Sequence, residues 1–352
     1  MAKLGVYKYI AFMFLVVTLL TSIFTLFGLF GGNANPANET AMAMLVYILP
    51  MLVWANVILL IYWLVRRRWH WSLIPFITLL CCIPYSKTFF QLGLFPTNVE
   101  GMRTMKVATY NVALFGREVM GFKAEDILSE MKRQNVDILC FQEYMQRSGN
   151  KDNTEKYLRH FGHVAKGHDD MIIFSRFPIN SSGTINFMNR TNNSSMWADI
   201  DVNGTIIRVF NVHLETTGFN RVLRNAAKQE LSGRHVEDNA LVRSIYDNYT
   251  LGMVNRAIQA DIVAKEMEKS PYPIILCGDF NDVPYSYVYK LMKGDLIDGF
   301  KECGKGFMFT MRGKKKVRID YIFHDKSLKG AEYYKEDLSY SDHYPVFMKI
   351  AY

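Results

Sequence analysis

PIILCGDFN, residues 273–281, carries the clearest structural signal in the chain, because an apolar run ends there in a glycine, a carboxylate and an amide. A short apolar run bounded by turn residues predicts a buried strand, here Pro273–Cys277. Asp279 and Asn281 follow this strand directly. Strand ends are where a sheet can direct polar side chains into one crevice without burying them unpaired. The stretch therefore predicts functional side chains at the edge of a sheet.

The same arrangement recurs through residues 101–352, where short apolar runs alternate with helical patterns. Further strands are predicted at Met105–Leu114, Asp137–Phe141, Met171–Phe174, Ser195–Val202, Thr205–Val212, Val317–Phe323 and Val346–Ile350. Helices are predicted at Phe122–Gln134 and along a face formed by Met253, Ala257, Ala260, Ala264 and Met267. Asn203-Gly204 predicts a hairpin turn. Polar residues again flank the apolar runs, namely Asn111, Glu143, His213, Asp320, Asp342 and His343. The pattern predicts one α/β domain.

Seven short motifs occur in one order along this region. They are TYNV (109–112), FQE (141–143), SRFP (175–178), NVHLE (211–215), GDFN (278–281), RIDYIF (318–323) and SDHYP (341–345). In this order, across about 235 residues, they resemble the endonuclease/exonuclease/phosphatase superfamily. Its members include pancreatic-type deoxyribonucleases, abasic-site endonucleases, neutral sphingomyelinases and inositol polyphosphate 5-phosphatases. The resemblance implies a four-layer α/β/β/α sandwich of two mixed sheets and metal-dependent hydrolysis of phosphoesters.

Phosphoester hydrolysis needs a hard cation to neutralise phosphate charge and a base to activate water. The resemblance implies that Glu143 is the chief metal ligand, with Asn111 and Asp342 completing the site. Oxygen ligands without clustered Cys or His favour Mg²⁺, with Mn²⁺ as the alternative. Ala113 stands where many nuclease members carry an acidic residue, which favours a single metal ion. The competing interpretation of Glu143 is an exposed carboxylate after a strand.

The resemblance also implies the catalytic residues. Asp279 is expected to be the general base, and Asn281 is expected to orient the attacking water or bind a phosphate oxygen. His343 and Asp320 are expected to pair, so that a charged imidazole donates to the phosphoryl oxygens as charge grows there. The competing interpretation of GDFN is an Asx-turn with no catalytic role.

His213 matches a second phosphate-side histidine of the superfamily, although a structural histidine is the alternative. The expected substrate-binding residues are Asn111, Arg176, Asn281 and His213. For Arg176, a surface ion pair is an equal alternative. Arg256 and Gln259 share one helical face and are expected to support the site.

Residues 1–100 are almost free of charge, since only six of the 41 Lys and Arg and two of the 33 acidic residues precede residue 101. Tyr9–Phe30 and Ala41–Val65 are each long enough to cross about 30 Å of hydrocarbon as a helix. Residues 69–86 form a third apolar stretch, for which an interfacial or re-entrant segment is the alternative. A cleaved signal peptide is the alternative for the first stretch. The sequence thus predicts a membrane anchor at 1–100 and a catalytic domain at 101–352.

The orientation follows from the basic residues beside the apolar stretches. Lys3 and Lys8 flank the first stretch and Arg66–Arg68 follow the second, while the loop 31–40 has no Lys or Arg. The positive-inside tendency therefore predicts a cytoplasmic amino terminus. With three crossings, the catalytic domain lies outside the cytoplasm. The prediction is an integral membrane protein with an extracytoplasmic catalytic domain.

The substrate class stays open between a nucleic acid and a phospholipid headgroup. The formal charge of +8 divides equally between the two parts, and this mild excess does not by itself indicate nucleic-acid binding. Residues 216–252 have balanced charges, whereas the basic run from Arg312 to Arg318 either meets a polyanion or forms a solvated hairpin tip. The expected partners are the lipid bilayer and the substrate, with no obligate protein partner. The competing function is a catalytically silent phosphate-binding or scaffold domain.

Overall fold

The computed structural model describes residues 2–93, 97–113, 124–144, 159–168, 170–187, 193–233, 235, 237–313, 316–338 and 341–352. The chain forms two compact units. The first unit comprises Met1–Thr88 and Val283–Lys290, and the second comprises Phe89–Asp282 and Leu291–Tyr352. The predicted assignment of an anchor to 1–100 and a catalytic domain to 101–352 stays a prediction.

The first unit is helical. It contains α1 (Ala2–Gly31), α2 (Thr40–Val65), α3 (Trp69–Cys81) and α4 (Ile83–Ser86). Val6–Gly31 and Thr40–Val65 are each 26 residues long, which is enough to cross a bilayer by length and composition. Only 17% and 22% of their most apolar windows are buried, unlike the core helix of a soluble protein. A signal sequence near the amino terminus would meet the same criteria of length and apolar composition that α1 meets.

The third apolar stretch forms two short helices rather than one long one. α3 has 13 residues and therefore rises about 20 Å, less than the thickness of the hydrocarbon layer. Pro84 stands in the first turn of α4, where its missing N–H is tolerated, and Cys82 joins the two helices with a right-handed helical conformation. Residues 69–86 thus follow one nearly helical path with a break at Cys82.

Buried polar side chains connect α1 to α2. Ser22 Oγ donates to Asn56 Oδ1 at 2.9 Å, and Asn56 Nδ2 donates to Thr25 Oγ1 at 2.8 Å. Trp63 Nε1 donates to Thr18 Oγ1 at 2.9 Å. Each of these side chains is at most 4% exposed. The two helices are therefore joined by specific hydrogen bonds as well as by apolar contact.

The second unit contains two six-stranded sheets and a two-stranded ribbon. Sheet I has the spatial order β13 (Lys329–Lys335), β14 (Val346–Ala351), β2 (Thr104–Asn111), β3 (Ile138–Gln142), β5 (Ile172–Ser175) and β4 (His163–Lys166). Sheet II has the order β10 (Ile297–Asp298), β12 (Asp320–His324), β9 (Ile274–Asp279), β8 (Thr205–His213), β7 (Ser195–Val202) and β6 (Ile179–Ile185). β1 (Phe90–Gln91) pairs with β11 (Gly306–Phe307). The pairs β2–β3 and β8–β9 are parallel and the other neighbours are antiparallel, so both sheets are mixed.

The core lies between the sheets and under the outer helices. The helices of the later chain are α5 (Ala124–Arg133), α6 (Phe219–Leu231), α7 (Asp238–Met267), α8 (Tyr287–Lys293) and α9 (Gly299–Cys303). Val107 and Cys140 of sheet I pack with Val209 and Cys277 of sheet II in one buried cluster. The opposite face of sheet I packs against α5 in a second cluster. The predicted α/β sandwich of two mixed sheets is confirmed.

One predicted strand begins later in the structure, since the strand predicted at Val317–Phe323 begins only at Asp320. Residues 216–252, for which no element was predicted, contain α6 and the first half of α7. Leu114 and residues 122–123, also predicted as strand and helix, lie outside the described residues. The Asn203-Gly204 hairpin is confirmed, since these residues have φ values of 53° and 95° and connect paired Val202 and Thr205. Such positive φ values at both turn positions match the twist of a two-residue hairpin.

Candidate active site

Strand direction brings the predicted polar residues to one edge of the two sheets. Asn111, His213 and Asp279 are the last residues of β2, β8 and β9, and Glu143 directly follows β3. Because each of these strands belongs to a parallel pair, their carboxyl ends share an edge. β12 and β14 run antiparallel to their neighbours, so Asp320 and the segment before β14 start at that edge, and Asp320 lies opposite Asp279.

Asn111 bridges the two sheets at this edge. Its Nδ2 lies 3.2 Å from Glu143 Oε1 and 3.0 Å from Asp279 Oδ2, while its Oδ1 accepts the backbone N–H of Ala113 at 2.9 Å. The Ala113 donor fixes the orientation of the amide, because it requires an oxygen. Asn111 therefore acts as a donor to both carboxylates. Its amide oxygen keeps a second lone pair, so the metal-ligand role of this residue stays a prediction.

His343 and Asp320 form the predicted buried pair. His343 Nδ1 lies 3.0 Å from Asp320 Oδ2 and 3.2 Å from Oδ1, and His343 Nε2 lies 3.8 Å from Asp279 Oδ2. Burial alone would lower the pKa of His343, but Asp320 and Asp279 outweigh it and raise the pKa to about 10. The imidazole is therefore positively charged at neutral pH, and Nε2 faces the carboxylate of Asp279.

Asp279 has a raised pKa and a fixed position. Burial, together with the neighbouring Asp320 carboxylate, raises the pKa of Asp279 to about 6. Asn281 N donates to Asp279 Oδ1 at 2.8 Å, and Asn281 Nδ2 donates to Leu214 O at 2.9 Å. The carboxylate thus combines an Asx-turn with a pKa close to neutrality, where a general base is most effective.

His213 has a carboxylate on each side. Its Nε2 lies 3.8 Å from Glu143 Oε1 and its Nδ1 lies 3.4 Å from Asp170 Oδ2. Burial opposes the charge on His213, but Asp170 and then Asp279 and Glu143 raise its pKa. Asp170 was not among the predicted site residues. It lies just before β5, which is antiparallel to β3 and therefore starts at the edge where Asn111 and Glu143 lie.

Three residues without glycine's freedom adopt positive φ at this edge. Ala113, Glu143 and Asn281 have φ values of 46°, 52° and 51°. A left-handed conformation costs a non-glycine residue about 1 kcal/mol or more, and such residues cluster at functional sites. At Glu143 and Asn281, the positive φ turns the backbone just after β3 and β9, and this turn sets the direction of each side chain.

Two groups of side chains could hold a cation. Ligand atoms of Asp279, Asp320 and His343 all lie within 4.8 Å of one another. Within this group, His343 Nδ1 faces Asp320 at 3.0 Å, which leaves Nε2 on the side of Asp279. The Glu143 side chain is 30% exposed, and its oxygens suit a hard cation. Asp342 is also exposed, and its backbone oxygen accepts Arg312 N at 2.7 Å.

Arg176 is not brought to this group. It follows β5 at the opposite edge of sheet I, where its Nη1 lies 2.7 Å from Asp137 Oδ1 just before β3. This half-exposed ion pair before β3 matches the surface-pair alternative for Arg176, and the substrate-binding role stays a prediction. The antiparallel direction of β5 separates Asp170 and Arg176 by the length of the strand.

The comparisons with known proteins agree with this architecture. Residues 108–343 match the Endonuclease/Exonuclease/phosphatase family, and residues 11–89 match a domain of unknown function (DUF8431). No curated protein matches the chain significantly.

Solved structures share the fold at low sequence identity. A humanized D. rerio TDP2 with 14 mutations has a TM-score of 0.52 and 16% identity, covering 71% of this chain and 99% of that chain. TDP2 from C. elegans has a TM-score of 0.51 and 15% identity, covering 72% and 77%. A family protein from Leptotrichia buccalis has a TM-score of 0.50 and 18% identity, covering 70% and 100%. The family match spans about two thirds of the chain and every predicted site residue, and the chain therefore belongs to the Endonuclease/Exonuclease/phosphatase family of phosphoester hydrolases.

Proposed function

We propose that the chain is a membrane-anchored, Mg²⁺-dependent phosphoester hydrolase. The observation that carries this proposal is the Asn111 bridge, which holds Glu143 and Asp279 on either side of one amide. The charged His343 lies 3.8 Å from the same Asp279 carboxylate. The proposed cation ligand, the proposed base and the proposed cationic donor therefore lie close together.

Glu143 would hold the metal, with Asp342 as a second carboxylate ligand. The exposed carboxylate oxygens favour Mg²⁺, with Mn²⁺ as the alternative. When bound, the cation supplies neutralisation of phosphate charge and stabilisation of the leaving oxygen.

The remaining residues act on the water and the phosphoryl oxygens. Asp279 accepts a proton from the attacking water, while its Asx-turn with Asn281 keeps the carboxylate in position. His343 donates from Nε2 to a phosphoryl oxygen, because Asp320 occupies Nδ1 and keeps the ring charged. His213 supplies a second donor, backed by Asp170.

The membrane part of the proposal rests on α1 and α2, and the bilayer is the expected partner. The substrate is a phosphoester of a nucleic acid or of a phospholipid headgroup. Tethering at a bilayer raises the local concentration of lipid headgroups, whereas the mildly basic charge of the later chain gives no signature of nucleic-acid binding.

The extracytoplasmic location is also proposed, and contacts inside the first unit support it. Lys290 Nζ donates to Leu29 O at 3.2 Å and to Asn33 Oδ1 at 3.1 Å, and Asn35 Nδ2 donates to Tyr287 OH at 3.2 Å. The loop 31–39 lacks Lys and Arg and is expected outside. Residues 287–290 then lie outside as well, which requires residues 69–86 to cross.

A substrate panel tests the activity. Full-length protein in nanodiscs is offered DNA, RNA, sphingomyelin, phosphoinositides and a chromogenic phosphodiester, with and without Mg²⁺. We expect Mg²⁺-dependent turnover that falls by about 10²- to 10⁴-fold in Asp279→Asn. Asp295→Asn, an exposed carboxylate of the second unit, is the matched control. Absence of turnover on every substrate in the presence of Mg²⁺ would contradict the proposal and favour the scaffold function.

A reporter fused to the carboxyl terminus tests the topology. A reporter that is active only outside the cytoplasm should be active. A reporter that is active only in the cytoplasm, on a folded protein, would instead establish two crossings.

A further inference from the structure

The basic run from Arg312 to Arg318 divides into two parts with different environments. Arg318 is fully buried, and its Nη1 and Nη2 lie 2.9 Å and 2.6 Å from the two oxygens of a buried Asp298. That pair is part of the core. Arg312 and Lys316 lie against aromatic rings instead. Lys314 and Lys315 are outside the described residues.

Arg312 and Lys316 form a cationic cluster with Lys335 around the rings of Phe309 and Tyr344. Lys335 Nζ lies 3.1 Å from the ring centroid of Phe309 and 4.2 Å from that of Tyr344. Lys316 Nζ lies 4.5 Å from the Phe309 centroid, and Arg312 Cζ lies 4.2 Å from the Tyr344 centroid. Each of the two rings thus contacts two of the three positive charges.

The cationic cluster has more positive than negative charge. In the described part of the chain, one carboxylate forms an ion pair with it, Asp337, whose Oδ1 lies 2.5 Å from Arg312 Nη1. The Asp337 side chain is 73% exposed, so its charge is well screened. Burial, followed by the charges of Lys316 and Arg312, lowers the pKa of Lys335 to about 8. A bound anion would relieve this repulsion.

The backbone of the cluster is hydrogen-bonded to the segment that carries the catalytic histidine. Arg312 N donates to Asp342 O at 2.7 Å, and Arg312 Nε donates to His343 O at 3.3 Å. Tyr344, whose ring carries Lys335 and Arg312, is the residue after His343 and donates from its backbone N to Thr310 O at 2.7 Å. The cationic cluster is therefore next to the proposed metal and phosphate site.

We propose that the cationic cluster binds a second phosphate group of the substrate, one that is not cleaved. The ligand chemistry is a phosphate monoester, carried either by a nucleotide or by a lipid headgroup. Two lysine ammonium groups and a guanidinium supply the positive charge that a doubly charged phosphate monoester needs. The proposal rests on the proposed function, since it concerns the same substrate.

Two matched substrate pairs test it in full-length protein in nanodiscs with Mg²⁺. One pair is thymidine 5′-(4-nitrophenyl phosphate) with and without a 3′-phosphate, and the other is short-chain phosphatidylinositol with and without a 4-phosphate. We expect kcat/KM to be about tenfold higher for the doubly phosphorylated member of one pair, mainly through KM. The pair that responds identifies the source of the phosphate.

Variants connect this preference to the cluster. Lys335→Gln and, as an exposed second variant, Lys316→Gln should lower the ratio of the two kcat/KM values to about one. Lys329→Gln, an exposed lysine of the same strand β13, should keep the ratio. Equal kcat/KM within both pairs, or a ratio that survives Lys335→Gln, would overturn the proposal.

A binding measurement separates this proposal from the proposed function. If neither pair is hydrolysed, the proposed activity fails, and calorimetry with thymidine 3′,5′-bisphosphate and thymidine 5′-monophosphate decides on the subsite. Tighter binding of the bisphosphate that is lost in Lys335→Gln would support it. Equal binding of the two nucleotides would refute it.

Discussion

Asp320 controls the charge of His343, and this single contact decides what the phosphate side of the site can do at neutral pH. Burial favours the neutral imidazole, whereas the Asp320 carboxylate at 3.0 Å favours the charged one and prevails. The pKa of Asp279 is raised to about 6, so its carboxylate is ionised above that pH, as its proposed role as a base requires. The active form, with Asp279 ionised and His343 charged, should therefore populate between about pH 6 and pH 10.

Asp320→Asn should invert the response of activity to pH. The variant loses the largest contribution that raises the His343 pKa and keeps the burial that lowers it, so the imidazole is neutral at about pH 8. We expect kcat at that pH to fall by about 10²-fold and to recover partly as the pH is lowered. In the unaltered protein, kcat should instead decrease as the pH is lowered through the Asp279 pKa. The measurement is kcat against pH at constant ionic strength.

Asp295→Asn is the control for this pH profile, because the Asp295 side chain is 99% exposed and pairs with an exposed lysine. It should keep the profile of the unaltered protein. A rate in Asp320→Asn that is reduced equally at every pH would refute the role assigned to the charged imidazole.

At the level of residues, the position of a polar side chain after an apolar run was enough to predict most of the site. Asn111, Glu143, Asp279 and Asp320 converge because each lies at a strand end on the same edge. The direction of a strand relative to its neighbours is not written in its own sequence. For that reason Asp170, just before β5, was missed, and the two alternatives for Arg176, just after β5, could not be separated.

Among the elements, α7 connects the two strand ends that carry His213 and Asp279. Arg256 Nε lies 3.1 Å from Asp282 Oδ2 and its Nη1 donates to Glu215 O at 2.9 Å, while Gln259 Oε1 accepts Glu215 N at 2.7 Å. Arg256 is fully buried and Asp282 is 4% exposed. One helical turn thereby fixes the chain two residues after His213 and three residues after Asp279.

Arg256→Ala should destabilise the second unit strongly, because it leaves the Asp282 carboxylate buried without its cation. Loss of one partner of a buried ion pair costs about 3–5 kcal/mol. Arg243→Ala, on the exposed part of the same helix with a side chain 85% exposed, should change stability by less than about 0.5 kcal/mol. The free energy of unfolding from urea titration of full-length protein in nanodiscs is the measurement.

Adding Asp282→Asn tests whether the pair is the cause. The double variant should be less destabilised than the sum of the two single variants, since the uncompensated charge is gone. Strict additivity would mean that Arg256 acts through packing and its hydrogen bond to Glu215 O rather than through the ion pair.

Elements with a strong local signal were predictable, and elements without one were not. Asn203-Gly204 specifies a hairpin through its backbone preference, independent of the rest of the fold. β6 reads INSSGTI, which resembles a loop, because it is an edge strand whose polar residues face solvent. Its Gly183 is required by packing across the sheet, since a Cβ there would lie 2.8 Å from the Trp197 ring. Neither fact is visible before β6 is paired with β7.

For the whole molecule, the contrast in charge near residue 100 predicted two parts but not their membership. Val283–Lys290 belongs to the helical first unit, although in the sequence it follows the turn that contains Asp279 and Asn281. Its attachment depends on Lys290 reaching the carbonyl oxygen at the end of α1, a contact between residues more than two hundred positions apart. No local sequence pattern predicts a contact between residues so far apart in the chain.

The hydrogen bonds between α1 and α2 predict that α1 is retained as a membrane helix rather than removed as a signal sequence. α1 and α2 also approach closely at Gly31, where a Cβ would lie 2.6 Å from Met42 O. A signal sequence has no need of such partners. Protein purified from membranes should therefore retain residues 9–30, as measured by intact mass.

Asn56→Leu should loosen this helix pair without preventing insertion. The substitution removes the hydrogen bonds to Ser22 and Thr25, and interhelical hydrogen bonds in membranes contribute about 0.6–2 kcal/mol each. Thr78→Val is the control, because the Thr78 hydroxyl donates within its own helix, to Ile74 O at 2.9 Å. Unfolding in increasing sodium dodecyl sulfate, followed through the fluorescence of the tryptophans in the first unit, should begin earlier in Asn56→Leu alone. Coincident unfolding curves for the two variants would show that the Asn56 bonds form equally well with lipid or detergent and do not hold α1 against α2.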